Sequence, residues 1–272
     1  MGTITLLFII LLGLMLFVGG SQGVSAFLSM IVNFGIVFFT IVLIAFHFPP
    51  IIVTVTASVV VLAITIFWSN ASDNASTTAF IGALIILTLL VLTIIPVEYW
   101  AKVGGFGLED SEELEGLSVL VGINFTKVAI CTAILTSLGA IAEAAIAIAS
   151  GLDEILTVHK EITSDQLFSD GIEIGKEIIG TAVNTLFFGF FGNSLALFIW
   201  LNGLGYSFGS IINDKVFAND LIAIVLSLIG VVLTIPITTW IMAMRRRRSE
   251  RERDRKHTRM ISSSRPRNDD TY

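Results

Sequence analysis

Glu143 is the residue whose type and position point most directly to chemistry. It lies in the run KVAICTAILTSLGAIAEAAIAIASGLDEI, and it is the one charged residue between Val128 and Gly151. A charged side chain at the centre of a bilayer costs about 2.5–3.5 kcal/mol on insertion scales, so it needs a partner, water or a bound proton. We therefore interpret Glu143 as a candidate group in a proton, ion or substrate path. The alternative is a hydrogen-bonded link between helices.

Polar and small residues surround Glu143 at helical spacing. On a helix of 100° per residue they fall within about 40° of it, and the rest of the surface is aliphatic. Such a stripe is expected to face protein or water and not lipid. The set consists of Thr132, Thr136, Gly139, Ser150 and Glu154. We predict that Thr136, Ser150 and Glu154 line the same path as Glu143, and that Gly139 allows close helix packing.

A second apolar run, GTAVNTLFFGFFG, offers a matching surface. Its small and polar positions lie within about 80° of one another on a helix. They are Thr181, Thr185, Gly189 and Gly192, with Asn184 beside them and Gly180 at the start of the run. We predict that the two helices pack stripe to stripe, with Asn184 and Thr185 on the path. Gly180, Thr181, Gly189 and Gly192 are then the residues of the helix contact.

The polar connector between these runs carries a helix start. Thr163 is followed three residues later by Gln166, which is the pattern of a capping box. A short interfacial helix is expected there, with Gly171 and Gly175 as bends before the chain enters the membrane.

The whole chain has the composition of a membrane protein. Of its 272 residues, 54% are hydrophobic and 14% are charged, and the mean hydropathy is +0.88. These values exclude an ordinary soluble domain. Five further apolar segments have nearly the ~20 residues that a bilayer requires. They are residues 3–18, 27–46, 51–68, 78–97 and 221–244.

The predicted fold is therefore all-α, a polytopic membrane helical bundle of about seven transmembrane helices. Residues 98–126 are expected to leave the membrane, with an acidic amphipathic segment around residues 109–115. An alternative with eight spans divides residues 117–155 at Ser137-Leu138-Gly139. That alternative breaks the polar stripe.

Positive charge is concentrated at the C-terminus. Residues 245–272 hold 11 of the 16 Lys and Arg residues, although the chain as a whole has a formal charge of −6. We predict a transmembrane domain at residues 1–244 and a basic, disordered tail at residues 245–272, with Arg245, Arg246, Arg247 and Arg248 at the membrane surface. We expect the protein in the plasma membrane. The positive-inside rule then places this tail on the cytoplasmic side. Seven spans then put the N-terminus outside and the connector at residues 153–176 inside.

Signatures of enzymes are absent from the sequence. There is no His-Glu-x-x-His, no Gly-x-Ser-x-Gly and no phosphate-binding loop, and the three histidines are widely separated. Cys131 is a single cysteine, so a disulfide within the chain is impossible. We expect no enzymatic activity, no metal, no cofactor and no nucleic-acid partner.

The chain resembles a known family over nearly all of its length except the basic tail, and two segments carry most of the resemblance. GAIAEAAIAIASGLDEI and SDGIEIGKEIIGTAVNTLFFGFFG are similar to the YibE/F family of bacterial integral membrane proteins, most specifically at Gly180 to Leu186. In that family an acidic residue follows a Gly-Ala pair and is usually Asp, whereas this chain has Ala142-Glu143. Glutamate keeps the negative charge of aspartate, and its side chain is longer by one methylene group. The resemblance implies the multi-pass architecture and gives no agreed activity.

Two main hypotheses for function follow. The first is a transporter or permease-like component, driven by protons, in which Glu143 takes up and releases a proton. The second is a structural subunit of a membrane complex. The resemblance implies a related YibE-like partner, because such proteins are often encoded in pairs. A homo-oligomer or hetero-oligomer in the lipid bilayer is expected in either case. An intramembrane enzyme ranks last, for want of a nucleophile-base pair.

Overall fold

The computed structural model describes residues 2–69, 72–105 and 124–264, and all regular structure in them is helical. Six of the helices are long and apolar enough to cross a membrane. The predicted all-α multi-pass architecture is confirmed. The acidic segment around residues 109–115 lies outside the described residues. The helices are α1 (Thr3–Ala45), α2 (Pro50–Phe67), α3 (Asp73–Ala101), α4 (Phe125–Val158), α5 (Ser164–Gly203), α6 (Phe208–Ile212) and α7 (Lys215–Ser264).

The number of long helices is six and not seven because α1 contains the first two predicted spans. The helix is interrupted at Gly20, where φ is 54° and ψ is −133°. A Cβ atom at Gly23 would overlap the carbonyl oxygen of Met15. In a straight helix these two residues would be about 12 Å apart, so the chain folds back sharply at Gly20. Glycine accepts this backbone conformation without a steric penalty.

The eight-span alternative is wrong. It required a break at Ser137-Leu138-Gly139, and α4 continues without interruption from Phe125 to Val158. Its N-terminus is capped by the side chain of Asn124, which accepts a hydrogen bond from the backbone N–H of Lys127 at 3.1 Å. The whole polar stripe around Glu143 therefore lies on one helix.

The predicted capping box at the start of α5 is confirmed. The backbone N–H of Gln166 donates to Thr163 Oγ1 at 3.3 Å, and that of Thr163 donates to Gln166 Oε1 at 3.3 Å. The expected bends at Gly171 and Gly175 are wrong, because α5 continues as one helix from the connector into the apolar run.

Helix α4 occupies the centre of the bundle. It packs against α2, α3, α5 and α7, and most of its alanines and isoleucines are buried. A hydrogen bond of 3.0 Å joins the hydroxyls of Ser137 on α4 and Ser227 on α7. Each hydroxyl also lies within hydrogen-bonding distance of a carbonyl of its own helix, that of Ala133 or Ala223. This buried polar contact between helices is therefore satisfied.

Close approach to α7 depends on glycines of other helices. Gly171 and Gly175 of α5 face Thr239 and Ile235 of α7, and Gly82 of α3 faces Thr238. At each site a Cβ atom would collide with the opposite side chain. In lipid there is little hydrophobic driving force for helices to associate. Small residues at such contacts let membrane helices approach closely and associate through van der Waals contacts instead.

We call the two ends of the bundle the connector end and the opposite end. The connector end holds residues 159–163, which join α4 to α5, together with the start of α3. At the opposite end α3 finishes, α4 begins and α7 begins, with Gly104 against Thr126 and Gly105 near Lys215.

Gly175→Ala is expected to destabilise the bundle. The added methyl group would overlap Cγ2 of Ile235, which is 2% exposed and whose β-branched side chain has one preferred rotamer in a helix. Overpacking of this kind costs about 1–3 kcal/mol. Thermal unfolding of the purified protein in detergent measures the effect. The matched control is Gly180→Ala on the same helix, where no atom lies within 4 Å of the added Cβ. Equal melting temperatures for the two variants would contradict this packing of α5 on α7.

Candidate functional site

Glu143 lies near the middle of α4 and its side chain is exposed to two cavities. We call them the α4–α5 cavity and the α1–α2–α4 cavity, after the helices that form their walls. Glu143 and Ala147 line both of them. Among the described residues that line either cavity, Glu143 is the one with a charged side chain.

The α4–α5 cavity has a volume of about 190 Å³. Thr181 and Thr185 of α5 lie on the wall across from Glu143, and the remaining lining is aliphatic. The hydroxyl of Thr181 donates to carbonyls of its own helix, those of Glu177 at 3.2 Å and Ile178 at 3.0 Å. Its oxygen can still accept a hydrogen bond, so it can face water or a protonated carboxyl group.

The α1–α2–α4 cavity is larger, with a volume of about 840 Å³. Its polar lining comes from α1 and from the end of α2. These residues are Gln22, Ser29, Asn33, Thr65 and Ser69. The carboxyl group of Glu143 therefore shares this cavity with amide and hydroxyl groups from other parts of the chain.

Asn33 and Thr65 form the most specific part of this wall. Asn33 Nδ2 donates to Thr65 Oγ1 at 2.8 Å, which fixes the amide. The amide oxygen Asn33 Oδ1 is buried and has no hydrogen-bond partner. A buried acceptor without a partner costs free energy unless a donor arrives. Asn33 therefore lines the cavity and also carries a buried acceptor without a partner.

The structure brings together part of the predicted path. Thr185 lines a cavity with Glu143, and so does Thr181, which was assigned to helix packing. Thr136 and Ser150 are half-buried on α4, while Glu154 and Asn184 are exposed. None of these last four is among the residues that line the two cavities.

The predicted helix-packing glycines require a correction. Gly139 lines the α1–α2–α4 cavity. At Gly139, Gly180, Gly189 and Gly192, an added Cβ atom would have no other atom within 4 Å. The close contacts of α5 are made instead by Gly171 and Gly175, because they are on the side of the helix that faces α7. The spacing of glycines along the sequence does not by itself show which of them face a neighbouring helix.

The first part of the basic tail continues α7, which ends at Ser264. Arg, Glu and Lys are good helix formers, and Arg246 pairs with Glu250 one turn later at 3.5 Å. Residues 265–272 lie outside the described residues.

Two of the four arginines assigned to the membrane surface bind protein. Arg245 donates to Thr78 Oγ1 at 3.0 Å and to Asn74 Oδ1 at 3.3 Å. Arg246 donates to the carbonyl oxygens of Ile162, at 3.0 Å, and Lys160. These contacts tie α7 to the start of α3 and to the connector. Arg247 and Arg248 are exposed.

Sequence reasoning missed the polar residues of α1 and α2. Asn33 and Thr65 are polar residues within apolar spans, so the criterion that selected Glu143 applies to them as well. Neither is charged, and neither lies on an extended polar stripe of its own helix comparable with that of α4. Their role depends on which helices are neighbours, and that is a property of the tertiary structure.

Single cysteines in a Cys131→Ser background test whether water enters the cavities. Cysteines at positions 143, 181 and 185 are expected to react with a small hydrophilic maleimide, because these positions line a cavity. Cysteines at Ala145 and Ala149 are the controls, since both residues have 0% exposure on the same helix as Glu143. Mass spectrometry of the protein in membranes measures the labelling. Uniform failure of positions 143, 181 and 185 to react would show that the cavities are dry.

Comparison with known proteins identifies the family. Residues 7–248 match the family described as YibE/F-like protein. The searches of curated proteins and of solved structures gave no match. The matched region includes every helix that contributes to the two cavities and most of α7. The chain is a multi-pass membrane protein and belongs to the YibE/F-like family.

Proposed function

We propose that this protein is a transporter or permease-like component of the plasma membrane, in which Glu143 binds and releases a proton. The observation that carries the proposal is that the carboxyl group of Glu143 lines two separate cavities. A charged group inside a membrane domain is a functional candidate by default. A structural link between helices would instead pair the carboxyl group with a donor on a neighbouring helix.

The two cavities supply the elements that coupled transport needs. A carboxyl group that is reached from one cavity can take up a proton or a cation, and it can release this ion into the other. Protonation removes the charge of the carboxyl group. Exposure of this group to hydrocarbon during a movement of the neighbouring helices then costs less free energy. Thr181 and Thr185 offer hydroxyls to the protonated form.

The orientation in the membrane follows from the distribution of charge. Lys and Arg near the ends of membrane helices favour the cytoplasmic side. Exposed Arg247 and Arg248, at the connector end, support a cytoplasmic connector and C-terminus. The opposite end, where α3 finishes, then faces outwards.

Glu143→Gln tests this function without knowledge of the substrate. In proteoliposomes on a solid-supported membrane, a jump in pH is expected to give a transient current from the wild-type protein. The variant is expected to give none, because an amide does not exchange a proton. The matched control is Glu173→Gln on α5, since Glu173 is exposed and lines neither cavity. An unchanged current in Glu143→Gln would exclude Glu143 as the proton-binding group.

The alternative function, a structural subunit of a membrane complex, is favoured by the free face of α5. The backbone around Gly189 and Gly192 is open, and exposed Asn193 lies within about 100° of both on the same helix. Small residues and amides are typical of contacts between membrane helices, and lipid offers amides no hydrogen bonds. We propose that this face contacts another membrane chain, either a second copy or a related YibE-like protein.

Disulfide or bifunctional cross-linking through Gly189→Cys tests this contact in native membranes. The expected product has the mass of two chains, and its composition distinguishes a second copy from a related partner. Leu195→Cys on another part of the exposed surface of α5 is the control for random collision. Equal yields from the two positions, or no product from either, would count against a specific contact at this face.

A further inference from the structure

A second acidic residue of the bundle has no partner. Glu98 lies in the last turn of α3, at the opposite end, and its side chain has 0% exposure. Both carboxyl oxygens, Oε1 and Oε2, are buried without a hydrogen-bond partner. The sequence placed this residue outside the membrane core, because the predicted span ended at Val97. In the structure the helix continues to Ala101 and turns Glu98 inwards.

The surroundings of Glu98 are apolar. It continues the buried stripe of α3 that is formed by Leu87, Leu90 and Ile94, at intervals of three and four residues. An ionised carboxylate that is removed from water without a partner loses several kcal/mol of solvation. Binding of a proton removes the charge and most of this cost. A neutral, protonated carboxyl group is therefore the form that fits this position.

Charged and titratable groups at the same end do not pair with it. On α3 the neighbouring ones are Tyr99 and Lys102, which are both exposed. On α4 they are Lys127, which is half-buried, and Cys131, which is buried, and His47 between α1 and α2 is exposed. The start of α7 carries Asp214, Lys215 and Asp220, and α2 has no charged residue. The hydrogen bonds and ion pairs of the described residues include none from these groups to the oxygens of Glu98.

We propose that Glu98 is a proton-binding site at the opposite end of the bundle, and that it holds a proton in the folded protein. The proposal stands on the complete burial of the side chain and on the missing partners of both carboxyl oxygens.

Labelling with dicyclohexylcarbodiimide tests the binding of the proton. This apolar reagent reacts with protonated carboxyl groups in apolar surroundings and leaves a stable acylurea that mass spectrometry locates. The expected result on the full-length protein in membranes is an adduct at Glu98. Exposed Glu173 is the control and is expected to stay unmodified. The absence of an adduct at Glu98 at mildly acidic pH, with the same reagent active on a reference membrane protein, would overturn the proposal.

Stability gives an independent measurement. Glu98→Gln replaces a neutral acid by a neutral amide of nearly the same shape, so an unchanged melting temperature is expected if the native group is protonated. Glu98→Ala leaves a void in the buried stripe and is expected to lower the melting temperature. If Glu98→Gln destabilises the protein as much as Glu98→Ala does, the native group is an ionised and paired carboxylate, and the proposal is overturned.

The proton on Glu98 does not depend on the proposed function. If the wild-type protein gives no pH-jump current, the proposed function fails, and labelling of Glu98 still decides whether this residue binds a proton.

Discussion

The lack of water in a bilayer is the constraint on which this structure depends, because polar groups there must find partners within the protein. Threonine and serine side chains of the bundle meet it by bonding to carbonyls one turn earlier, as Ser137 and Ser227 do in addition to bonding to each other. Helices that gain little from hydrophobic association approach through small residues instead. The alanines of α4 and the glycines opposite α7 satisfy this second condition, so α4 can occupy the centre of the bundle.

The exceptions to this constraint are concentrated in a few places. Glu143 faces two cavities, Asn33 has an unused acceptor beside one of them, and Glu98 has two unpaired oxygens at the opposite end. Buried polar groups without partners are rare in folded proteins and often mark functional positions. Among the described residues, the buried groups of this kind lie on α1, α2, α3 and α7, and those of α7 are Asn219, Thr238 and Thr239. Glu143 differs from them because its side chain is exposed to the cavities.

Local patterns were sufficient to predict the helices and the position of Glu143, because hydropathy, capping residues and helical spacing are properties of short segments. They identified the capping box at Thr163 and the continuous stripe of α4. They failed where the outcome depends on which helices are neighbours. Gly171 and Gly175 contact α7 whereas Gly180 does not, although all three have the same local character. Glu98 was placed outside the membrane because the predicted span ended at residue 97, whereas α3 continues to Ala101 and buries this side chain.

The unequal packing of the helices indicates which parts of the bundle can move. Arg245 and Arg246 tie α7 to the start of α3 and to the connector, and Asp153 of α4 accepts hydrogen bonds from Ser72 at 2.5 Å and Asn74 at 2.8 Å. The connector end of α3, α4 and α7 is therefore held as one unit. Helix α1 packs mainly on α2, and much of α5 beyond its contacts with α7 is exposed. These two helices form the outer walls of the cavities beside Glu143. Displacement of α1 or α5 would change access to the carboxyl group from one side at a time without disturbing the core, and this is the kind of motion that alternating access requires.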